Sequence, residues 1–211
     1  MNQFEVSMNG LTVSKENQEA FLNNLRQQTK ESHNHLEENY FSKAILEPTV
    51  SLANYQTYIA KLYGVVSACE NDVFPAVAML LNDVDKRHKS DLIRNDLQNT
   101  GLASTLIKNL PVHHFTFSST AEALGIMYVL EGSTLGGKIL YKHINSVLGF
   151  NAENGASYFW GYGPPTGTFW KTFITLLAAY AVEKNCEKEI ISSAIQTFMT
   201  IDHWLNEAEI N

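Results

Sequence analysis

Residues Ser119–Gly149 read STAEALGIMYVLEGSTLGGKILYKHINSVLG, and the reading of this stretch decides the fold class. Ser119 and Glu122 have the spacing of a capping box, in which paired side chains satisfy free backbone amides at a helix start. Gly149 supplies a C-terminal stop. One long helix to Leu148 is therefore expected, and it carries Gly125, Gly132, Gly136 and Gly137 in its interior. Each glycine costs roughly 1 kcal/mol relative to alanine, so the set costs on the order of 3–4 kcal/mol. Gly125, Gly132 and Gly136 stand at i, i+7 and i+11 and are expected to share a face. Bare backbone there admits either a closely packed second helix or something flat, and the Gly136-Gly137 pair permits a kink. A phosphate-cradling loop is a poorer reading of GSTLGG, since no lysine-serine pair follows it and no strand precedes it.

The flanking sequence keeps the same period. Ser14 is a plausible cap for a helix from Lys15, with Phe21, Leu22, Leu25 and Leu36 partly periodic and helix continuing to Leu46, near Pro48. Ser51 caps the next helix, where Leu52, Tyr55, Ile59, Leu62, Tyr63 and Val66 recur at 3.6. Pro75 marks a break or the first turn of a short helix. Residues 84–99 read as a charged surface helix stopped near Gly101, and Pro111, His113 and His114 as a connecting loop. Residues 150–167 form a glycine-, proline- and aromatic-rich loop, and two further helices are expected over roughly 168–183 and 186–207. No alternating strand segment and no internal repeat is found. The expectation is one all-α helical domain over 15–211, preceded by a flexible arm over 1–14.

Bulk properties narrow the function. The chain has 211 residues, 45% apolar and 18% charged, which suits a single sizeable core. A net charge of -7 without a basic stripe argues against nucleic acid as a partner. No apolar run is long enough to span a membrane, and the N-terminus does not have the pattern of a signal peptide. A cytoplasmic location is expected. Cys69 and Cys186 lack metal-ligand or redox spacing and read as two reduced thiols.

A second motif lies in LRQQTKESHNHLEE, residues 25–38. His33 and Glu37 are i and i+4, so the carboxylate can hold one ring nitrogen and leave the other free for iron. Arg26 lies two turns earlier on that face, about 10 Å away, where a cation can meet a carboxylate at the edge of a planar ligand. Taken alone, the His33–Glu37 pair is also the pattern of an ordinary surface ion pair. His35 is about 200° further round the helix. His88, His113, His114, His143 and His203 show no HxxxH or ExxH pairing, so no multi-ligand metal centre is expected. A single histidine facing bare backbone suits a cofactor that brings its own equatorial ligands, and haem is the candidate.

At these residues the chain resembles the haem oxygenase family. Leu25–His33 with Glu37 is similar to the family's proximal segment, and Tyr128–Gly137, YVLEGSTLGG, to its distal helix. The wording LEGS-x-LGG and the later GYG…TG…W at Gly161–Trp170 are closer to the bacterial group, including enzymes associated with bacteriophytochromes. The resemblance spans roughly residues 18–207, with about 100 residues between the two motifs.

The resemblance implies a bundle with haem b sandwiched between a proximal and a kinked distal helix. It makes His33 the iron ligand and Glu37 its hydrogen-bonding partner. Gly132 and Gly136, with Gly137 beside them, become the kink over the iron. Arg26 and Lys171 become propionate contacts, and Phe198 an aromatic neighbour of haem. Many members carry an aspartate directly after the first distal glycine; here that position is Ser133, as in the bacterial group generally. The implied activity is cleavage of haem, as substrate and cofactor, to biliverdin, CO and ferrous iron. It uses O2 and an external electron donor, a ferredoxin-type or other reductase, and a bilin-using photoreceptor is an implied partner. The residues leave open a non-catalytic haem binder on the same fold, and a helical module that binds no haem. A di-iron or thiamin-related enzyme requires inward Glu and His residues at i, i+3 spacing, and that set is not found.

Overall fold

Some helix boundaries, those after Ser51 and Ser119 among them, are set by local chemistry that is readable in the chain. The computed structural model describes residues 6–8 and 11–210, with side chains from residue 14 onward. Helix α1 (Lys15–Glu38) starts after Ser14, but the Ser14 hydroxyl makes no capping bond; its carbonyl accepts from Gln18 N at 3.2 Å instead. The expected continuation to Leu46 is interrupted at Asn39, and α2 (Tyr40–Ala44) begins a new axis. The reason is tertiary. Asn39 Oδ1 caps Phe41 N at 2.9 Å while its amide donates to Asp202 Oδ1 at 2.8 Å, far along the chain.

Helix α3 (Leu52–Ala68) is capped by Ser51, whose hydroxyl accepts from Asn54 N at 3.1 Å. It runs into one π-helical turn, Cys69–Val73, and then α4 (Phe74–Val77), which has Pro75 in its first turn. A 3-10 turn, Val84–Arg87, precedes α5 (Ser90–Asn99) and α6 (Ser104–Lys108). The expectation of a charged surface helix over 84–99 is corrected here, because Arg87 and Asp96 are both fully buried. Their partners lie elsewhere in the chain: Glu131 for Arg87, and the amides of Ser157 and Tyr158 for Asp96.

Helix α7 (Thr120–Leu148) spans the stretch expected for it, with the Ser119 hydroxyl accepting from Glu122 N at 3.1 Å and Gly149 at φ 75°. The Glu122 carboxylate completes the cap one residue early, accepting from the backbone and hydroxyl of Ser118. The glycine-rich loop contains α8 (Ser157–Trp160). It leads to α9 (Thr166–Lys184) and α10 (Glu187–Glu207), joined by a left-handed turn at Asn185.

The arm ahead of α1 contains two short strands, where none is expected. Strands β1 (Val6–Met8) and β2 (Leu11–Val13) pair antiparallel with Ser7 opposite Thr12, and β2 lies against α9. Three-residue strands are too short for period-two alternation to register.

Helix α10 packs along α7 and α1, α9 packs on both as well, and α3 packs on α5. Leu25, Leu124, Met127 and Phe173 are fully buried in the resulting core, each contributing about 1.5–3 kcal/mol by leaving water. Gly125 makes the α7–α10 approach possible: a Cβ there would stand 2.6 Å from Ile190 O and 2.6 Å from Ser193 Cβ. Helices α1 and α7 thus lean on the same two neighbours and leave a space between themselves. No helix among the described residues is long and apolar enough to cross a membrane.

Candidate active site

The space between α1 and α7 is a cavity of about 700 Å³, within the range of sites that take cofactor-sized ligands. His33, Leu36 and Glu37 of α1 line it, as do Gly132, Ser133, Gly136 and Gly137 of α7 and Phe198 of α10. Its wall is mainly apolar, completed by Leu62, Val65 and Trp170 among others. His33 Nδ1 stands 3.7 Å from the Glu37 carboxylate. The edge-on Phe198 ring, 5.4 Å from the imidazole and at 86°, limits rotation of that imidazole. Nε2 has no hydrogen-bond or ionic partner among the described residues. Nδ1 thus lies near the carboxylate but beyond hydrogen-bond distance, short of the expected hydrogen bond, and Nε2 is available to a ligand.

The α7 glycines divide by task. Gly125 faces α10 and serves close helix packing, so it does not share the cavity face with Gly132 and Gly136. A Cβ on Gly136 would meet nothing within 4 Å, and one on Gly132 would only touch the Trp170 ring at 3.6 Å. These two present bare backbone to the cavity. A Cβ on Gly137 would approach Phe159 O at 3.0 Å, so it lets α8 pack close. The helix continues without interruption through Gly136-Gly137.

Arg26 and Lys171 are exposed and outside the cavity lining, although each neighbours it: Arg26 acts electrostatically on the lining residue Tyr128, and Lys171 follows the lining residue Trp170. The Ser133 hydroxyl donates to Leu130 O at 2.7 Å. Tyr58 and Tyr158 also line the cavity, and burial raises both phenols above the ordinary value, which keeps them protonated donors. The Tyr158 phenol hydrogen-bonds with Ser133. Among the described residues, no group of three or more His, Cys, Asp or Glu is placed to hold a metal ion by side chains alone.

The family model for Heme oxygenase matches residues 19–207. The chain belongs to the haem oxygenase family. It is 30% identical over 191 residues to Heme oxygenase PigA of Pseudomonas aeruginosa, an alignment covering 83% of this chain and 87% of that one. In fold it is similar to the haem oxygenase of Neisseria meningitidis, solved with NO and CO bound, at TM-score 0.69 and 22% identity over 89% of this chain and 90% of that one. The haem oxygenase of Leptospira interrogans gives TM-score 0.72 at 18% identity, over 89% and 98% of the two chains. Family membership makes the chain an enzyme of haem degradation, with haem as substrate and cofactor.

The residues present fit haem: one available imidazole nitrogen, a bare-backbone wall at Gly132 and Gly136, and a mainly apolar cavity of sufficient size. Sequence reasoning missed the polar groups behind that wall. Glu131, 2% exposed, accepts from Arg87 Nη1 at 2.5 Å, Lys89 Nζ at 3.0 Å and Tyr162 Oη at 2.7 Å. Lys89 also lines the haem oxygenase cavity. The available signal was a lone carboxylate in the apolar run LGIMYVLEGS, since buried charge is rarely left unpaired.

Proposed function

We propose that this chain binds haem b between α1 and the glycine face of α7 and cleaves it oxidatively to biliverdin, CO and ferrous iron. The observation that supports this most directly is that His33, with Nε2 available, and the bare backbone of Gly132 and Gly136 wall one cavity. Haem, when bound, supplies the iron that activates O2 and the meso carbon that is oxidised, with electrons from an external ferredoxin-type or other reductase.

In this reading His33 Nε2 binds the iron. The Glu37 carboxylate and the Phe198 edge would limit rotation of the imidazole plane. The bare backbone at Gly132 and Gly136 would let haem approach α7 closely, with no side chain of these two residues in between. Gly137 fixes that stretch of helix against α8. Ser133 and Tyr158 are neutral hydroxyls whose oxygens can accept from water, since the Ser133 proton goes to Leu130 O. Arg26 and Lys171, exposed cations outside the lining, would hold the propionates. The apolar wall excludes bulk water from the reacting face.

The group the chain resembles supports a bilin-using photoreceptor as consumer of the product, and a cytoplasmic site of action. Aerobic turnover is the test. Hemin added to the protein should give a Soret band that His33→Ala weakens. A reductant under air should then convert that band into biliverdin absorption. A Soret band that persists under reductant and air without bilin overturns the catalytic reading in favour of a haem carrier or sensor.

A further inference from the structure

Haem cleavage consumes protons, and Ser133 cannot supply them as an acid. Its hydroxyl carries no charge and is engaged with Leu130 O. The wall behind Gly132 contains groups that can. Glu131 and Lys89 are joined directly, and Tyr162 Oη lies 2.6 Å from Lys89 Nζ as well as 2.7 Å from Glu131. On the far side Glu70, 9% exposed, accepts from the amides of Lys89 and Ser90 at 2.5 and 2.8 Å and from the Ser90 hydroxyl. Its second oxygen lies 3.2 Å from Nδ1 of His88, which is half exposed to solvent.

Between Glu70 and Glu131 lies a second cavity of about 10 Å³, also lined by Cys69, Arg87 and Lys89, which is close to the space one water needs. Lys89 and Leu130 line both this cavity and the large one. Lys89 is thus the charged group common to the two. A buried set of ions is a costly way to hold a helix that apolar packing could hold as well.

We propose that Glu70, Lys89, Glu131 and Tyr162 form an internal proton path from solvent at His88 to the haem cavity. The proposal rests on the haem-cleavage reading above. Protons pass from His88 Nδ1 to Glu70, across the water-sized cavity to the Lys89–Glu131–Tyr162 triad, and into water of the large cavity when Lys89 Nζ turns from Arg87 O, to which it donates at 2.9 Å. Each group takes up one proton as it releases another, so the charge of the path is unchanged after a transfer. Solvent supplies the protons, and the external donor of the main reaction supplies the electrons.

The test uses the full chain loaded with hemin and two variants, Lys89→Met and Tyr162→Phe. Tyr162→Phe keeps the ring stacked on Phe169, 4.2 Å away at 8°, and removes only the hydroxyl, so it guards against a folding failure of Lys89→Met. Soret titration should show hemin bound by both, with wild-type affinity in Tyr162→Phe, whose residue lies outside the cavity lining. Bilin formation should fall about tenfold or more in Lys89→Met and several-fold in Tyr162→Phe, with a larger solvent deuterium isotope effect. A small primary amine should restore part of the Lys89→Met rate.

A readout apart from turnover is the acid–alkaline spectral transition of the hemin complex. Lys89 is faced by Glu131 from α7, Tyr162 from the loop after α8, Glu70 and Cys69 from the π turn, and Arg87 and His88 of its own segment. Removing its positive charge disfavours added negative charge in the cavity, so the transition moves to higher pH. A wild-type chain that forms no bilin overturns the haem-cleavage reading, and this path with it. Active wild type, with rate, isotope effect and transition unchanged in Tyr162→Phe and in folded Lys89→Met, overturns the path alone.

Discussion

Arg87 and Glu131 form an ion pair buried from bulk solvent, with the guanidinium 0% and the carboxylate 2% exposed and 2.5 Å between them. The guanidinium is bound further by Asp83, with two contacts of 2.9 Å, and donates to Phe169 O at 3.1 Å. These bonds tie the segment before α5, the middle of α7 and the start of α9 into one unit directly behind Gly132.

Removing one member of that unit leaves the other charges buried without a partner. Glu131→Leu should destabilise the apo-protein by about 3–5 kcal/mol, the range for breaking a buried pair. Urea unfolding followed by circular dichroism measures it. A loss below about 1 kcal/mol would show that the cluster does not anchor α7.

His33 and Glu37 should separate in their effects on hemin. His33→Ala removes the imidazole that lines the cavity and should abolish the wild-type Soret spectrum. Glu37→Gln keeps the ligand and loses only its orienting charge, which stands 3.7 Å away and is two-thirds exposed. Its hemin affinity should fall by about tenfold, the low end for a partner of a metal ligand. Spectrophotometric titration reads both, and equal losses would count against distinct roles.

Two glycines of the same helix should respond oppositely to alanine. At Gly125 the new methyl meets Ile190 O and Ser193 Cβ at 2.6 Å, so Gly125→Ala should cost about 1–3 kcal/mol by overpacking. At Gly136 nothing lies within 4 Å, and Gly136→Ala should leave the apo-protein as stable or up to about 1 kcal/mol more so. The methyl then projects from the cavity wall, so hemin affinity or bilin yield should fall. Thermal unfolding and hemin titration on the two variants check the contrast.

His113 should make stability depend on mild acid. Its ring packs against Phe115 and Trp204 at 4.7 and 5.4 Å, and burial lowers its pKa below the ordinary 6.5, assisted by His114 and opposed by Asp72. The unfolded chain then binds the proton more tightly than the folded one. The contribution is full above about pH 6.5 and is lost as pH falls toward the lower folded value. Unfolding free energy measured between pH 7.5 and 5.5 should decline less in His113→Asn than in the wild type.

The features legible in the chain by itself are those decided within a few residues. The caps at Ser51 and Ser119, the left-handed stop at Gly149 and the bounds of α7 depend on contacts one turn long. The His33–Glu37 pair is equally local, and its pairing with the glycine helix carries the haem oxygenase resemblance. Other features needed the tertiary structure, because their partners are remote in sequence. Asn39 ends α1 through Asp202, and Arg87 is buried because Glu131 lies 44 residues on. The glycines of α7 show the distinction most plainly. Their cost to the helix is readable from composition. That Gly125 serves packing and Gly136 faces the cavity depends on where α10 ends up, since helical period places residues on a face but does not say what that face meets.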